Sequence, residues 1–301
     1  MDQVLESRGS VGASAATVHG DPLPRRAGRW LVRAFLPSDD VLAAVEVGAA
    51  VQRPILTGRR IVVDGPRGGV ERSAVTALLA LVFAHYRQDR VLALDVDPGT
   101  GSLARRFGVR TRRSLTDVAD ANPPDSFEAV EPLLSSVRER LWTLPGAREE
   151  DEGDLGARIY RGALLPLSRF FGITLIHSGT GLPTELHDAV SAGAHAHVLV
   201  APETGDGVVG VGRMLDTLLA TGGDSLTSRI VVVLVAQETN PDPTFDLVGA
   251  VDILTEGGVG VFRLGRDRHL AATTVIDPRR LAQATHTTMA RVAAEVLRRS
   301  L

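Results

Sequence analysis

From Arg60 onward the sequence repeats one unit: a short β-branched run ends in Gly, Asp or Pro, and an Ala/Leu-rich segment of helical period follows it. A helix between two strands carries the chain back to the end of the sheet it left, so successive strands run parallel. The runs are Ile61–Asp64, Val91–Asp97, a short LWTL at Trp142, Ile173–Ser178, His197–Pro202 and Ile230–Ala236. They are almost continuously apolar, which requires cover on both faces. Ser73–Tyr86, Val208–Ala220 and Leu281–Leu301 read as helices, and the acidic stretch at Glu149–Asp154 reads as an exposed loop. The expected fold class is α/β: a Rossmann-like, three-layer α/β/α parallel sheet with a short N-terminal extension.

Residues 1–27 are rich in Ser, Gly, Ala and Pro with no apolar period, and they read as a disordered tail. Residues 28–58 read as a helical N-terminal extension, with Leu31, Phe35, Leu42, Val45 and Val47 at loose helical spacing broken by Pro37. The domain proper then runs over residues 59–301. The 301 residues hold no cysteine, which removes disulfides, thiolate metal sites and cysteine nucleophiles. A net charge of −3 speaks against nucleic acid as a partner, and no run approaches the ~20 apolar residues of a membrane span. A cytoplasmic protein is expected. All 33 basic residues are arginine, so no lysine exists anywhere in the chain.

The segment IVVDGPRGGVERSAVTALLALVF is strand, Gly-rich turn and helix, the context in which backbone N–H groups and a helix dipole converge on an anion. A P-loop ends in Gly-Lys-Ser/Thr, with the lysine on the phosphates and the hydroxyl on magnesium. Here those positions read Glu71, Arg72 and Ser73. Two like charges about 4 Å apart repel by about 4 kcal/mol at an effective dielectric near 20, so Glu71 weakens phosphate binding unless it swings out or pairs with Arg72. The loop is then either a residual nucleotide site or only a strand-to-helix turn.

GPRGGVERS resembles the deviant phosphate loop of the MinD/ParA family, K-G-G-x-G-K-[ST], aligned from Arg67 to Ser73. The resemblance implies phosphate contacts from Arg67, Gly68, Gly69, Arg72 and Ser73. Arg67 stands where the family has the lysine that reaches across a dimer. An Arg/Lys exchange at a tight phosphate site alters shape, because a planar fork replaces a point charge. The box D-x-D-P-x-x-G-x-L, Asp95 to Leu103, is similar to the family's second motif. It implies a carboxylate near the attacking water at Asp97 and one organising the metal region at Asp95, with Ser73 and Asp95 as candidate magnesium residues. The alternative is that both carboxylates only cap the following turn. The stretch ITLIHSGTG resembles the family's Walker B strand and switch, with His177 in place of the Walker B aspartate and Gly179 and Thr180 in the switch; His197 replaces a second aspartate. Magnesium prefers hard oxygen ligands, so an imidazole at His177 removes a support for hydrolysis.

A metal site uniting His177 with His187, His195 or His197 lacks the short spacing such sites use. No G-x-S-x-G elbow supports a hydrolase triad, and GPRGGV does not fit dinucleotide spacing. Arg105, Arg106, Arg110, Arg112 and Arg113 read as a solvated helix-loop face. The final helix, with Met289, Val292, Ala293, Val296 and Leu297 on one stripe, reads as packed on the core in preference to a membrane surface. The likeness covers about residues 53–301 and is in particular to MinD-like proteins found with type VII secretion systems. It implies a degenerate, non-hydrolysing regulatory or scaffold protein with weak or absent binding of ATP or ADP and Mg2+. It also implies a homodimer or a heterodimer with an active paralogue, and protein partners in a secretion machinery. The alternative is an active ATPase with a modified site. Gln237 is a candidate base contact.

Overall fold

Parity along the strands builds the layers. The computed structural model describes residues 38–66, 70–96, 102–120, 124–146, 159–179, 184–236 and 246–301. Its strands are β1 (Arg59–Asp64), β2 (Val91–Asp95), β3 (Ser135–Arg138), β4 (Leu141–Pro145), β5 (Ile173–His177), β6 (Ala196–Pro202), β7 (Ile230–Val235) and β8 (Gly260–Leu264). They form one sheet in the order β3-β4-β2-β5-β1-β6-β7-β8. Every pairing is parallel except that of β3 with β4. The principal helices are α1 (Ser38–Val51), α2 (Val70–Tyr86), α3 (Ser102–Phe107), α4 (Thr184–Ala192), α5 (Gly205–Gly222), α6 (Leu247–Glu256) and α7 (Gln283–Arg299).

Ile61, Val63, Val91, Ala93, Ile173, Leu175 and Val198 pack with Leu79 and Phe83 of α2 and with Val292 and Val296 of α7. Their neighbours Val62, Leu92, Leu94 and Ile176 face the other way, onto Tyr160, Leu164 and Leu167. Leu199, Val232 and Leu234 pack on Val211 and Leu215 of α5. This period-2 division of continuously apolar strands gives the expected three layers. α2 is buried nearly all round, as its unbroken Ala/Leu/Val run requires, and α7 docks on the core through its Met289–Leu297 stripe.

Sequence reading misses β3 and β8, both at sheet edges. A strand paired on one side only can stay partly polar, and SSVR and GVFRL keep exposed or half-buried residues. α1, inside the expected extension, lies against α7 and α2. Its C-terminal end is held by the buried Arg87, whose Nη1 donates to the carbonyls of Val51 at 2.7 Å and Arg53 at 2.9 Å. A cation there complements the helix dipole. The expected tail over residues 1–27, the first part of the expected extension over 28–37 and the acidic loop over Glu149–Asp154 lie outside the described residues.

β1, β2 and β5 are adjacent and end in Asp64, Asp95 and His177, beside the start of α2. In an open α/β sheet, ligands bind beyond these carboxyl ends.

Candidate functional site

Arg72 sits in the first turn of α2 and is only 2% exposed. Its Nη1 donates to the Ser178 carbonyl at 3.0 Å and to Asp64 Oδ1 at 3.4 Å. The Gly65 N–H also donates to Asp64 Oδ1, at 2.7 Å, while His187 Nε2 on α4 lies 2.9 Å from Asp64 Oδ2. Asp64 therefore joins β1, α2 and α4. Sequence reading takes it only as the end of a strand; a lone carboxylate closing an apolar run before a Gly-rich turn was the available signal. The hydrogen bond to Asp64 raises the pKa of His187 against the opposing effect of burial, with Asp64 and Asp188 adding their charges.

Ser73 follows in the same turn. Arg106 of α3 donates from Nε to Ser73 Oγ at 3.2 Å and from Nη1 to the Thr274 carbonyl at 3.4 Å. Arg106 is 6% exposed, so the reading of Arg105–Arg113 as one solvated face fails at this residue. Its neighbours Arg105, Arg110, Arg112 and Arg113 are exposed. The reason is helical phase: Arg106 shares the inward side of α3 with Leu103, while Arg105 points out. Burial lowers the pKa of Arg106 and the nearby charge of Glu71 raises it, so Glu71 acts on Arg106 as well as at the phosphate loop. The expected choice between a pairing of Glu71 with Arg72 and an outward swing omits this second cation.

Asp95 and His177 stand opposite each other in the β2–β5 register, with their side chains on the same face. His177 Nδ1 lies 2.8 Å from Asp95 Oδ1. Asp95 Oδ2 accepts from the Leu103 N–H at 2.9 Å and from Ser102 Oγ at 3.1 Å. Burial would raise the Asp95 pKa, but the hydrogen bond and charge of His177, with the donors from Leu103 and Ser102, hold it below the ordinary value. An ionised carboxylate has no proton to give, so His177 Nδ1–H is the donor. His177 Nε2, Ser178 Oγ and Arg72 Nε are buried and have no hydrogen-bond partner among the described residues.

Of the sequence-derived residues, the structure thus gathers Arg72, Ser73 and Asp95 at one edge, with Gly179 buried just beyond β5. Arg67, Gly68, Gly69, Asp97, Thr180 and Gln237 lie outside the described residues. The histidines go separate ways: His177 to Asp95, His187 to Asp64, and His195 Nδ1 to the Arg60 N–H at 3.0 Å. Among the described residues no three His, Cys, Asp or Glu side chains are grouped to hold a metal.

His197, at the position of the family's second aspartate, is 2% exposed, and burial pushes its pKa down to about 4. A depressed histidine pKa means that the unfolded chain takes up a proton the folded chain refuses. Stability is therefore full above the unfolded value near 6.5 and falls as pH drops toward 4, at about 1.4 kcal/mol per unit for one such group. The raised pKa of His187 works in the opposite sense: its contribution is present below about 6.5 and is lost as pH rises through the folded value. The expected outcome is that urea unfolding shows His197 contributing a loss of up to about 3 kcal/mol between pH 6.5 and 4, to which His195, likewise depressed to about 4, adds in the same sense, and that His197→Gln reduces the total loss.

No protein-family model matches the chain. Over 243 residues it is 30% identical to the ESX-1 secretion-associated protein EspI of Mycobacterium tuberculosis, in strains CDC 1551 / Oshkosh and H37Rv, a match that takes in 79% of this chain and 36% of the relative. The chain thus spans about a third of the length of the curated relatives it matches. A ParA family ATPase from Chlorobium tepidum TLS superposes with a TM-score of 0.62 at 15% identity, over 78% of this chain and 98% of the other. The cell division ATPase MinD of Pyrococcus furiosus gives 0.59 at 19% identity, over 80% and 99%. An ATP complex of a Cyanothece McdA variant gives 0.59 at 16% identity, over 80% and 96%. At these identities the superpositions show the fold alone. Among the described residues no helix is long and apolar enough to cross a membrane.

Proposed function

We propose that this chain, which has the MinD/ParA P-loop fold, is a non-hydrolysing member of that architecture that acts through binding. The observation that carries the reading is the buried His177–Asp95 pair. At the strand end where Walker B chemistry needs a carboxylate facing a metal's water shell, an imidazole instead turns back onto the carboxylate of Asp95. Arg72 supports the same reading. A P-loop lysine reaches forward to the phosphates, whereas this guanidinium is engaged by Asp64 and the Ser178 carbonyl. With its Nη1 so engaged and Glu71 close by, nucleotide affinity is weakened.

The role we assign is that of a regulatory or scaffold component of a secretion system, as a homodimer or as the inactive partner of an active paralogue. The likeness to a secretion-associated protein supports the setting, and the MinC:MinD complex of Aquifex aeolicus is a solved case of this fold docking a protein partner. The test is phosphate release from ATP with excess magnesium. The expected result is a rate indistinguishable from buffer, equal in wild type and Asp97→Ala; turnover that disappears in Asp97→Ala would establish the active-ATPase alternative.

A further inference from the structure

Magnesium does not fit the residues that this fold would use to hold it. The Ser73 hydroxyl, the P-loop position for a metal ligand, already accepts a hydrogen bond from Arg106. Both Asp95 oxygens already carry hydrogen bonds, Oδ1 from His177 and Oδ2 from Ser102 and Leu103. Mg2+ demands near-octahedral oxygen coordination and gives up water reluctantly, and a guanidinium fixed on its would-be ligand repels it. The features that face an anion nonetheless remain. The N-terminal end of the 17-residue helix α2 brings its dipole to this edge. Arg72 Nε and Ser178 Oγ are buried donors with no partner among the described residues, and the Arg72 guanidinium is bonded through Nη1 to the Ser178 carbonyl. Buried polar groups rarely stay unsatisfied without a reason.

We infer that Arg106 takes the place of the metal: the cradle at the start of α2 binds the diphosphate of a nucleotide, or a free pyrophosphate, without a divalent cation. This rests on the non-hydrolysing reading above and extends it, since a fixed guanidinium can neutralise phosphate charge but cannot supply a metal-bound water. Glu71, whose field falls on Arg106, then serves as the counter-charge that keeps this buried cation tolerable before an anion arrives.

The experiment is calorimetric titration of the full chain with ADP and, separately, with inorganic pyrophosphate, each with excess magnesium and with EDTA. Saturable binding whose Kd changes by less than about twofold between the two conditions is expected, and Arg106→Ala should weaken it about tenfold or more through loss of a charge-assisted contact. ADP binding without pyrophosphate binding identifies a nucleotide site; equal binding of both identifies a diphosphate site. Arg106→Gln keeps a neutral polar donor and more of the buried volume than alanine and should show the same loss, which covers the case in which Arg106→Ala does not fold. Binding that requires magnesium, that survives both substitutions, or that is absent for both probes overturns the inference and leaves the non-hydrolysing reading in place. Phosphate release from ATP would overturn that reading instead.

Discussion

His177→Asp, the change that restores the Walker B carboxylate, destabilises the fold by about 3–5 kcal/mol and confers no hydrolysis, because it removes one partner of a buried pair. His177 is fully buried and Asp95 is 2% exposed. An aspartate at 177 would bring a second carboxylate against Asp95 with no solvent to screen the two, so one must be protonated or the strands must part. The Asp95 donors from Leu103 and Ser102 remain, but the cation-capable ring that draws down its pKa is gone. Thermal unfolding is the measurement, with a midpoint lowered by roughly 10 °C for a domain of this size. His177→Gln, which can still donate to Asp95, should lose clearly less; equal losses in the two variants would show that the imidazole matters only as volume.

Gly65→Ala is expected to cost more than about 3 kcal/mol, in the range reserved for steric conflict within a core. A Cβ there would meet the Val200 carbonyl oxygen at 2.0 Å and Arg72 Cδ at 3.2 Å. The carbonyl belongs to β6, where Val200 is held in register with Val233 of β7, so it cannot yield without disturbing that pairing. Glycine is needed here for close approach of chain to chain as it leaves β1 toward the phosphate loop. Gly212 in α5 is the internal comparison, since a Cβ added there would meet nothing within 4 Å, and alanine should be neutral or slightly stabilising. Denaturant midpoints of the two variants test both statements.

The sheet was legible because six of its strands are buried on both faces and carry that burial as nearly continuous apolar runs. The edge strands β3 and β8 were not, since their half-exposed residues imitate loops. At the site, motif spacing pointed to Arg72, Ser73, Asp95 and His177, whose positions in chain order follow from strand ends and helix starts. What spacing does not encode is which way a side chain turns. Asp64 gathers Gly65 just past β1, Arg72 of α2 and His187 of α4, and Arg106 reaches Ser73 across 33 positions of sequence; the second contact exists only once the sheet order places β2 and its following helix beside α2. A run of arginines looks the same on paper whether one of them points inward or none does.

The grip of Arg87 on the end of α1 has a mechanical side. α2 is a rod of 17 residues, about 25 Å long, with Arg72 and Ser73 in its first turn and Arg87 one step past its last residue. A tilt of about 5° around its middle would move each end by roughly 1 Å. Load applied through α1 and the anion binding inferred at the opposite end would therefore act on the two arms of one lever.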